Sequence, residues 1–203
     1  MAKVVSGAMK LEKEVYSEKQ DMFESLSTGE SPEALGVPDS NSRIGTGRIT
    51  KAELAQARTN WGDGLVAISK AYDAEGIDAA RAVANEVLDT AYGYNMGDVL
   101  FKPTLASGEK TFRPTKEGAL AYFVGHDEDY PLDSGFGLKG WREVTSETSA
   151  TFIAGDVAMW MGWVICTDND GGETKVDKSW GYQKDAEGTL RIVQHHSSLP
   201  YQP

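Results

Sequence analysis

Two histidines and two serines stand together near the C-terminus, in Leu190-Arg-Ile-Val-Gln-His-His-Ser-Ser198 followed by Leu-Pro-Tyr201. An imidazole titrates near neutral pH and can take a proton and return it, while a serine hydroxyl both donates and accepts hydrogen bonds. The segment reads as a strand ending at a proline, and on a strand successive side chains face opposite ways. His195 therefore shares one face with Ser197, and His196 shares the other with Ser198. One pair can face an interior and the other cannot; spacing alone does not say which. A Ser-His-acid hydrolase would need an acid, and Asp177 on the preceding strand is the candidate. Yet residues two apart on a strand point the same way rather than at each other, and no Gly-x-Ser-x-Gly elbow occurs.

The metal alternative is weak for the same geometric reason. The ligands on offer are His126, His195, His196 and Cys166; adjacent strand residues cannot both enter one coordination sphere without a bulge, and no His-x-His spacing exists. A three-histidine zinc site is not expected. The acidic loop His126-Asp-Glu-Asp129 can hold a divalent cation only weakly and reads as solvated surface. Gly171-Gly172 and Gly62-Asp-Gly64 lack the strand-to-helix setting of a phosphate loop and read as turns and helix contacts. No metal and no cofactor are expected. Bulk water has a pKa of about 15.7, so metal-free activation of water needs a base, aligned donors and a dry cavity.

Composition narrows the partners. The 203 residues carry 31 acidic and 20 basic side chains, a formal charge of -11, which disfavours nucleic acid and anionic membrane surfaces. Cys166 is the only cysteine, so no internal disulfide can form, and it reads as a small buried hydrophobe. No apolar run reaches the roughly 20 residues of a membrane span, and the N-terminus does not resemble a signal peptide.

Positioning falls to the elements before the final strand. Residues 8–26 place Met9, Leu11, Val15, Met22 and Phe23 among charges, an amphipathic helix followed by a Ser-, Gly- and Pro-rich stretch; residues 1–47 form an arm and linker, and residues 48–203 the globular domain. Thr50 and Glu53 make a capping box for a long helix with Leu54, Ala57, Trp61, Leu65, Ile68 and Tyr72 on one face. Gly76 ends it, and Asp78 is expected to cap a second helix closing near Gly93. A hairpin of Val99–Thr104 and Thr111–Thr115 turns at Ser107-Gly108, and Thr115 caps a short helix through Val124. Four strands follow, near 139–149, 151–167, 174–183 and 189–197, with Gly155-Asp156 bending the second and Asp168–Gly172 and Asp185–Gly188 as hairpin loops. The fold class is α+β: a curved antiparallel sheet wrapped around the long helix as a cone, with a pocket at its open end. Trp141, Met159, Met161 and several tyrosines are expected to leave an apolar sheet face for a homodimer.

This order of elements resembles the nuclear transport factor two fold, shared by ketosteroid isomerase and the association domain of calmodulin-dependent protein kinase. Within it, Trp61-Gly-Asp-Gly-Leu65, Phe101-Lys-Pro-Thr104, Val176-Asp-Lys-Ser-Trp-Gly-Tyr182 and His195-His-Ser-Ser-Leu-Pro-Tyr201 are similar to the iota-class carbonic anhydrases, from about residue 48 onward. The resemblance implies reversible hydration of carbon dioxide to bicarbonate in a polar pocket, without a metal. It implies a site of Thr104, Tyr122, His195 and Ser197, all four binding substrate and Tyr122, His195 and Ser197 catalytic; His195 or a Tyr122–His195 pair would take the proton. It also implies a plastid stroma or a cyanobacterial or bacterial cell compartment. Taken singly, Thr104 reads as a strand-end cap, Tyr122 as a core tyrosine, and His195 with Ser197 as a buried pair fixing the last strand. A non-catalytic association module on the same fold is the alternative, and a ketosteroid-isomerase-like enzyme, with Asp98 or Asp177 as its carboxylate, is another.

Overall fold

The computed structural model describes Gly45 and residues 47–202, all within the unit Ser40–Pro203. The helix expected over residues 8–26 lies outside the described residues. Helix α1 spans Lys51–Glu75, α2 Ile77–Ala91 and α3 Lys116–Val124. The strands are β1 (Leu100–Lys102), β2 (Trp141–Ala154), β3 (Val157–Asp168), β4 (Glu173–Lys184) and β5 (Leu190–Ser198). They form one curved sheet in the order β1-β5-β4-β3-β2, and with the helices the fold is α+β. No helix among the described residues is long and apolar enough to cross a membrane.

The capping box is present: the Thr50 hydroxyl accepts from the Glu53 backbone N–H, and Glu53 accepts from the Thr50 N–H at 2.7 Å. Satisfying two orphan donors fixes where α1 begins. Its stripe then buries Leu54, Trp61, Leu65 and Ile68 against the sheet and neighbouring helices. Gly62 and Gly64 sit mid-helix, where glycine costs about 1 kcal/mol relative to alanine. Close packing is the reason for them: a Cβ on Gly62 would stand 3.1 Å from the Val144 side chain, and one on Gly64 2.9 Å from Val87. Helix α2 starts at Gly76 with no side-chain cap, so Asp78 lies in its first turn rather than capping it. Gly76 has φ of +83°, a backbone state only glycine adopts readily, and it both ends α1 and opens α2.

Three corrections concern the strands. First, β1 runs parallel to β5, pairing Phe101 with His195, so the sheet is mixed rather than wholly antiparallel. The 111–115 segment lies beside β1 through Arg113 N–H to Phe101 C=O at 2.8 Å and Val99 N–H to Pro114 C=O at 3.1 Å, but forms no strand. Pro114 has no N–H with which to extend the ladder. Second, β2 and β3 divide at Gly155-Asp156, which is their connecting turn rather than a bend within a strand. Gly155 has φ of +67°, suited to a tight hairpin, and the register irregularity falls earlier, between Thr148 and Ala150. Third, Trp141 is buried, its indole N–H donating to the Phe136 carbonyl at 2.7 Å, and does not share the outer face with Met159 and Met161.

Strand β5 carries the irregularity that matters most. Gly181 pairs with Gln194 while Tyr182 pairs with Ile192, leaving Val193 as an extra residue. Such a bulge reverses the in-out alternation beyond it. Ile192 and His195, three apart, therefore both face the core, 2% and 1% exposed. Gly93 N–H donates to the Ile192 carbonyl at 2.9 Å, and Tyr92 bridges to Ile192 in parallel sense, docking the end of α2 onto the bulge.

Candidate active site

His195 and Ser197 are the inward pair, at 1% and 0% exposure, whereas His196 is exposed and Ser198 half-buried on the opposite face. Asp177 receives the Ser198 hydroxyl at 2.7 Å and Asp98 is exposed. Neither carboxylate joins the His195–Ser197 cluster, so neither the Ser-His-acid arrangement nor a ketosteroid-isomerase carboxylate is assembled there. Among the described residues no three His, Cys, Asp or Glu side chains converge as a metal-ligand set.

What surrounds His195 is a directed chain of hydrogen bonds. The Trp61 indole N–H on α1 donates to the Tyr92 hydroxyl at 2.9 Å, and that oxygen is 2.9 Å from His195 Nδ1. His195 Nε2 lies 3.0 Å from Lys178 Nζ, which donates to Ser197 Oγ at 3.1 Å. Ser197 Oγ is 2.7 Å from Thr104 Oγ1 and 3.2 Å from the Asp177 carbonyl. Lys102 Nζ adds a bond to the Ser197 carbonyl at 2.8 Å. The chain thus runs from α1 through the end of α2, across β5 and β4, to the residues after β1.

Aromatic rings enclose it. Phe101 stacks on the imidazole with centroids 4.5 Å apart, while Trp61 and Trp180 meet it at 5.7 and 5.3 Å. Lys178 Nζ sits 4.7 Å from the Trp61 ring centre. Such a cage removes water and strengthens each polar contact inside. It also shifts proton affinities. Burial first, and the Lys178 charge second, hold the His195 imidazole well below its usual pKa. Burial pulls the Lys178 ammonium down to about 7, with Lys102 adding to the fall and Cys166 and Asp177 opposing it.

Thr104 and Tyr122 occupy the β1 end of the cluster. Thr104 is 8% exposed, and Tyr122 packs edge-on against Phe101 at 5.8 Å and stacks on Phe136 at 5.5 Å. The Tyr122 hydroxyl is buried without a hydrogen bond of standard geometry. Burial raises its pKa, while the neighbouring Thr104 and Leu105 groups partly oppose the rise. The tyrosine that hydrogen-bonds His195 is Tyr92 rather than Tyr122.

Sequence reasoning passed over Lys178, Tyr92, Trp61 and Lys102 as members of this cluster. For Lys178 a signal exists: Val176, Lys178, Trp180 and Tyr182 alternate along β4, all buried, so a lysine occupies an inward row of large apolar residues.

On the inner face of the sheet of this α+β fold, a buried chain of hydroxyl, amine and imidazole groups defines a proton-relaying site rather than a polymer-binding surface. Residues 52–199 match the family model described as metal-independent carbonic anhydrase. A metal-independent carbonic anhydrase from Nostoc sp. is 54% identical over 154 residues, 76% of this chain and 75% of that protein. The crystal structure of an iota-carbonic anhydrase from a cyanobacterium, complexed with bicarbonate, is 54% identical, with a TM-score of 0.76 over 77% of this chain and 95% of that one. A protein of the nuclear transport factor two type from Pseudomonas putida aligns at 17% identity and a TM-score of 0.46. The chain belongs to the metal-independent carbonic anhydrase family.

Proposed function

We propose that this chain catalyses the reversible hydration of carbon dioxide to bicarbonate, and does so without a metal. One observation carries the reading: a chain of hydroxyl, amine and imidazole groups, Thr104–Ser197–Lys178–His195, sealed among aromatic rings. Thr104, Ser197 and the Tyr122 hydroxyl orient water and hold the oxygens of the developing bicarbonate, because charge builds on those oxygens as the new C–O bond forms. Both nitrogens of His195 engage protein groups, so its part in taking the proton is played through the chain that begins at Ser197. The bicarbonate held by the cyanobacterial structure supports the same substrate here.

The test is stopped-flow carbon dioxide hydration on chelator-treated protein, with Thr104→Val beside it. Activity should survive chelation, and Thr104→Val should lower kcat/KM by about tenfold or more, the loss of one charge-facing hydroxyl. A wild-type protein inert both with and without added zinc would remove the proposal.

A second copy of this chain covers the outer sheet face in our reading. Phe152 and Met159 are cross-strand partners, 61% and 53% exposed, and Met161 beside them is 49% exposed. A patch of this kind is costly to leave in water. Met161→Glu should convert a dimer to a monomer in light scattering; a wild-type monomer at micromolar concentration would refute the dimer. The site itself lies on the inner face. The compartment follows from the family resemblance: a plastid stroma or a cyanobacterial or bacterial cell, checked by locating a tagged full-length protein.

A further inference from the structure

We propose that Lys178 is the residue through which the site stores the proton released from water, and that its protonation state sets the tautomer of His195. The proposal rests on the carbonic anhydrase reading above for the identity of the reaction, but its geometry is independent of it. Lys178 is the link between the hydroxyl pair and the imidazole: one Nζ lies 3.1 Å from Ser197 Oγ and 3.0 Å from His195 Nε2.

The donor inventory fixes the directions. An indole N–H can only donate, so the Tyr92 oxygen is an acceptor toward Trp61 and is free to give its own proton to His195 Nδ1. A neutral imidazole that accepts at Nδ1 carries its proton on Nε2. That N–H faces Lys178 Nζ, and only an unprotonated amine has the lone pair to receive it. The amine then uses its own N–H toward Ser197. With Lys178 neutral, every link from Trp61 to Ser197 is a donor facing an acceptor. With Lys178 as ammonium, the bond to Nε2 must reverse, the imidazole must carry its proton on Nδ1, and the Tyr92 oxygen faces two donors. The neutral-amine state is the better satisfied one.

The surroundings agree. The titratable groups near Lys178 are His195 on β5, Cys166 on β3, Asp177 on β4 and Lys102 on β1, while α1 presents the Trp61 ring. None is a carboxylate paired directly with Nζ: Asp177 is turned to Ser198. A buried ammonium without such a partner is strongly disfavoured, and burial brings its pKa to about 7. A base so placed is matched to neutral operating pH.

The step balances without a further reactant. A water oxygen forms a bond to the carbon of carbon dioxide, one C=O π pair moves onto oxygen, and one water O–H bond breaks. As the imidazole proton moves from Nε2 to Nδ1 the Nζ lone pair is released; the serine hydroxyl turns from the Asp177 carbonyl and gives its proton to Nζ while Ser197 Oγ takes the proton from water, giving bicarbonate and an ammonium. Loss of that proton to solvent resets the amine. Lys178 acts through Ser197 and His195, so it is a positioning and proton-holding residue.

Lys178→Met removes the amine while keeping an unbranched side chain. Hydration kcat should fall about 100-fold, within the range for loss of a positioned proton acceptor, with KM changed less than about threefold because the hydroxyls remain. The wild-type rise of kcat with pH through about 7 should vanish. Lys178→Arg, which cannot give up its proton, should be equally slow. A folded Lys178→Met protein with wild-type kcat, or one retaining the inflection near 7, overturns the proposal. An independent reading needs no variant: ¹⁵N NMR of His195 in the wild-type protein should change from the Nδ1–H to the Nε2–H tautomer as pH rises through about 7. One unchanging tautomer from acid to alkaline pH would also overturn it. If the wild type fails to hydrate carbon dioxide, the carbonic anhydrase reading fails by itself, while the tautomer titration still decides the role of Lys178.

Discussion

Replacing Ser197 with alanine should lower kcat/KM by about 10² to 10³, while His196→Ala, on the opposite face of the same strand, should leave it within about twofold. Ser197 is the junction of the site: its hydroxyl meets Thr104, Lys178 and the Asp177 carbonyl. Alanine removes one oxygen, yet it leaves the Thr104 hydroxyl and the Lys178 amine each short of a buried partner. It also cuts the route by which a proton leaves the hydroxyl end of the cluster. The loss should appear chiefly in kcat, since the lost contacts matter most as charge moves from water to amine. Stopped-flow hydration on the two variants, with circular dichroism to show both folded, checks this. A Ser197→Ala enzyme with near-native kcat would mean the inward pair does no chemistry.

That contrast between neighbouring residues bears on how much was legible beforehand. Alternation along β5 pairs His195 with Ser197 and His196 with Ser198, but which pair points inward depends on Val193, and a bulge is a property of two strands in register. No local pattern in Arg191–Gln194 announces it. The helical scaffold was readable because its signals are local: the Thr50–Glu53 box, the Leu54-to-Ile68 stripe and the Gly76 break each act over a few residues. The parallel pairing of β1 with β5 was not, because Phe101 and His195 meet only in space. Lys178 was written in the β4 alternation, yet lysine is so rarely buried that its charge argued against the position. Tyr92 stands just beyond α2 and reaches His195 only through the bridge at Ile192. The site is therefore visible where the family pattern names residues, and hidden where it is held together by their partners.

The stability of the protein should carry the same signature as its chemistry. An unfolded lysine keeps its proton up to about pH 10.4, whereas burial brings folded Lys178 down to about 7. Below about 7 both states are protonated, and the full cost of burying the ammonium falls on the folded state. Between about 7 and 10 the unfolded chain binds the extra proton, so stability attributable to this group rises with pH across that window. A difference of about three pKa units corresponds to a swing on the order of 4 kcal/mol. Lys178→Met lacks this titration, but leaves Ser197 Oγ and His195 Nε2 without the amine, a loss of about 1 to 3 kcal/mol that does not vary over the same window. The variant should therefore be the more stable protein at pH 7 and should lose that advantage, or fall below the wild type, by pH 10. Urea unfolding of both proteins at pH 7, 8.5 and 10 measures the difference, in which other groups titrating alike in the two cancel. A difference constant across the three would mean the amine is paired or hydrated and does not titrate near neutrality. The expected result would make one buried amine a cost to the fold at the pH where the enzyme uses it.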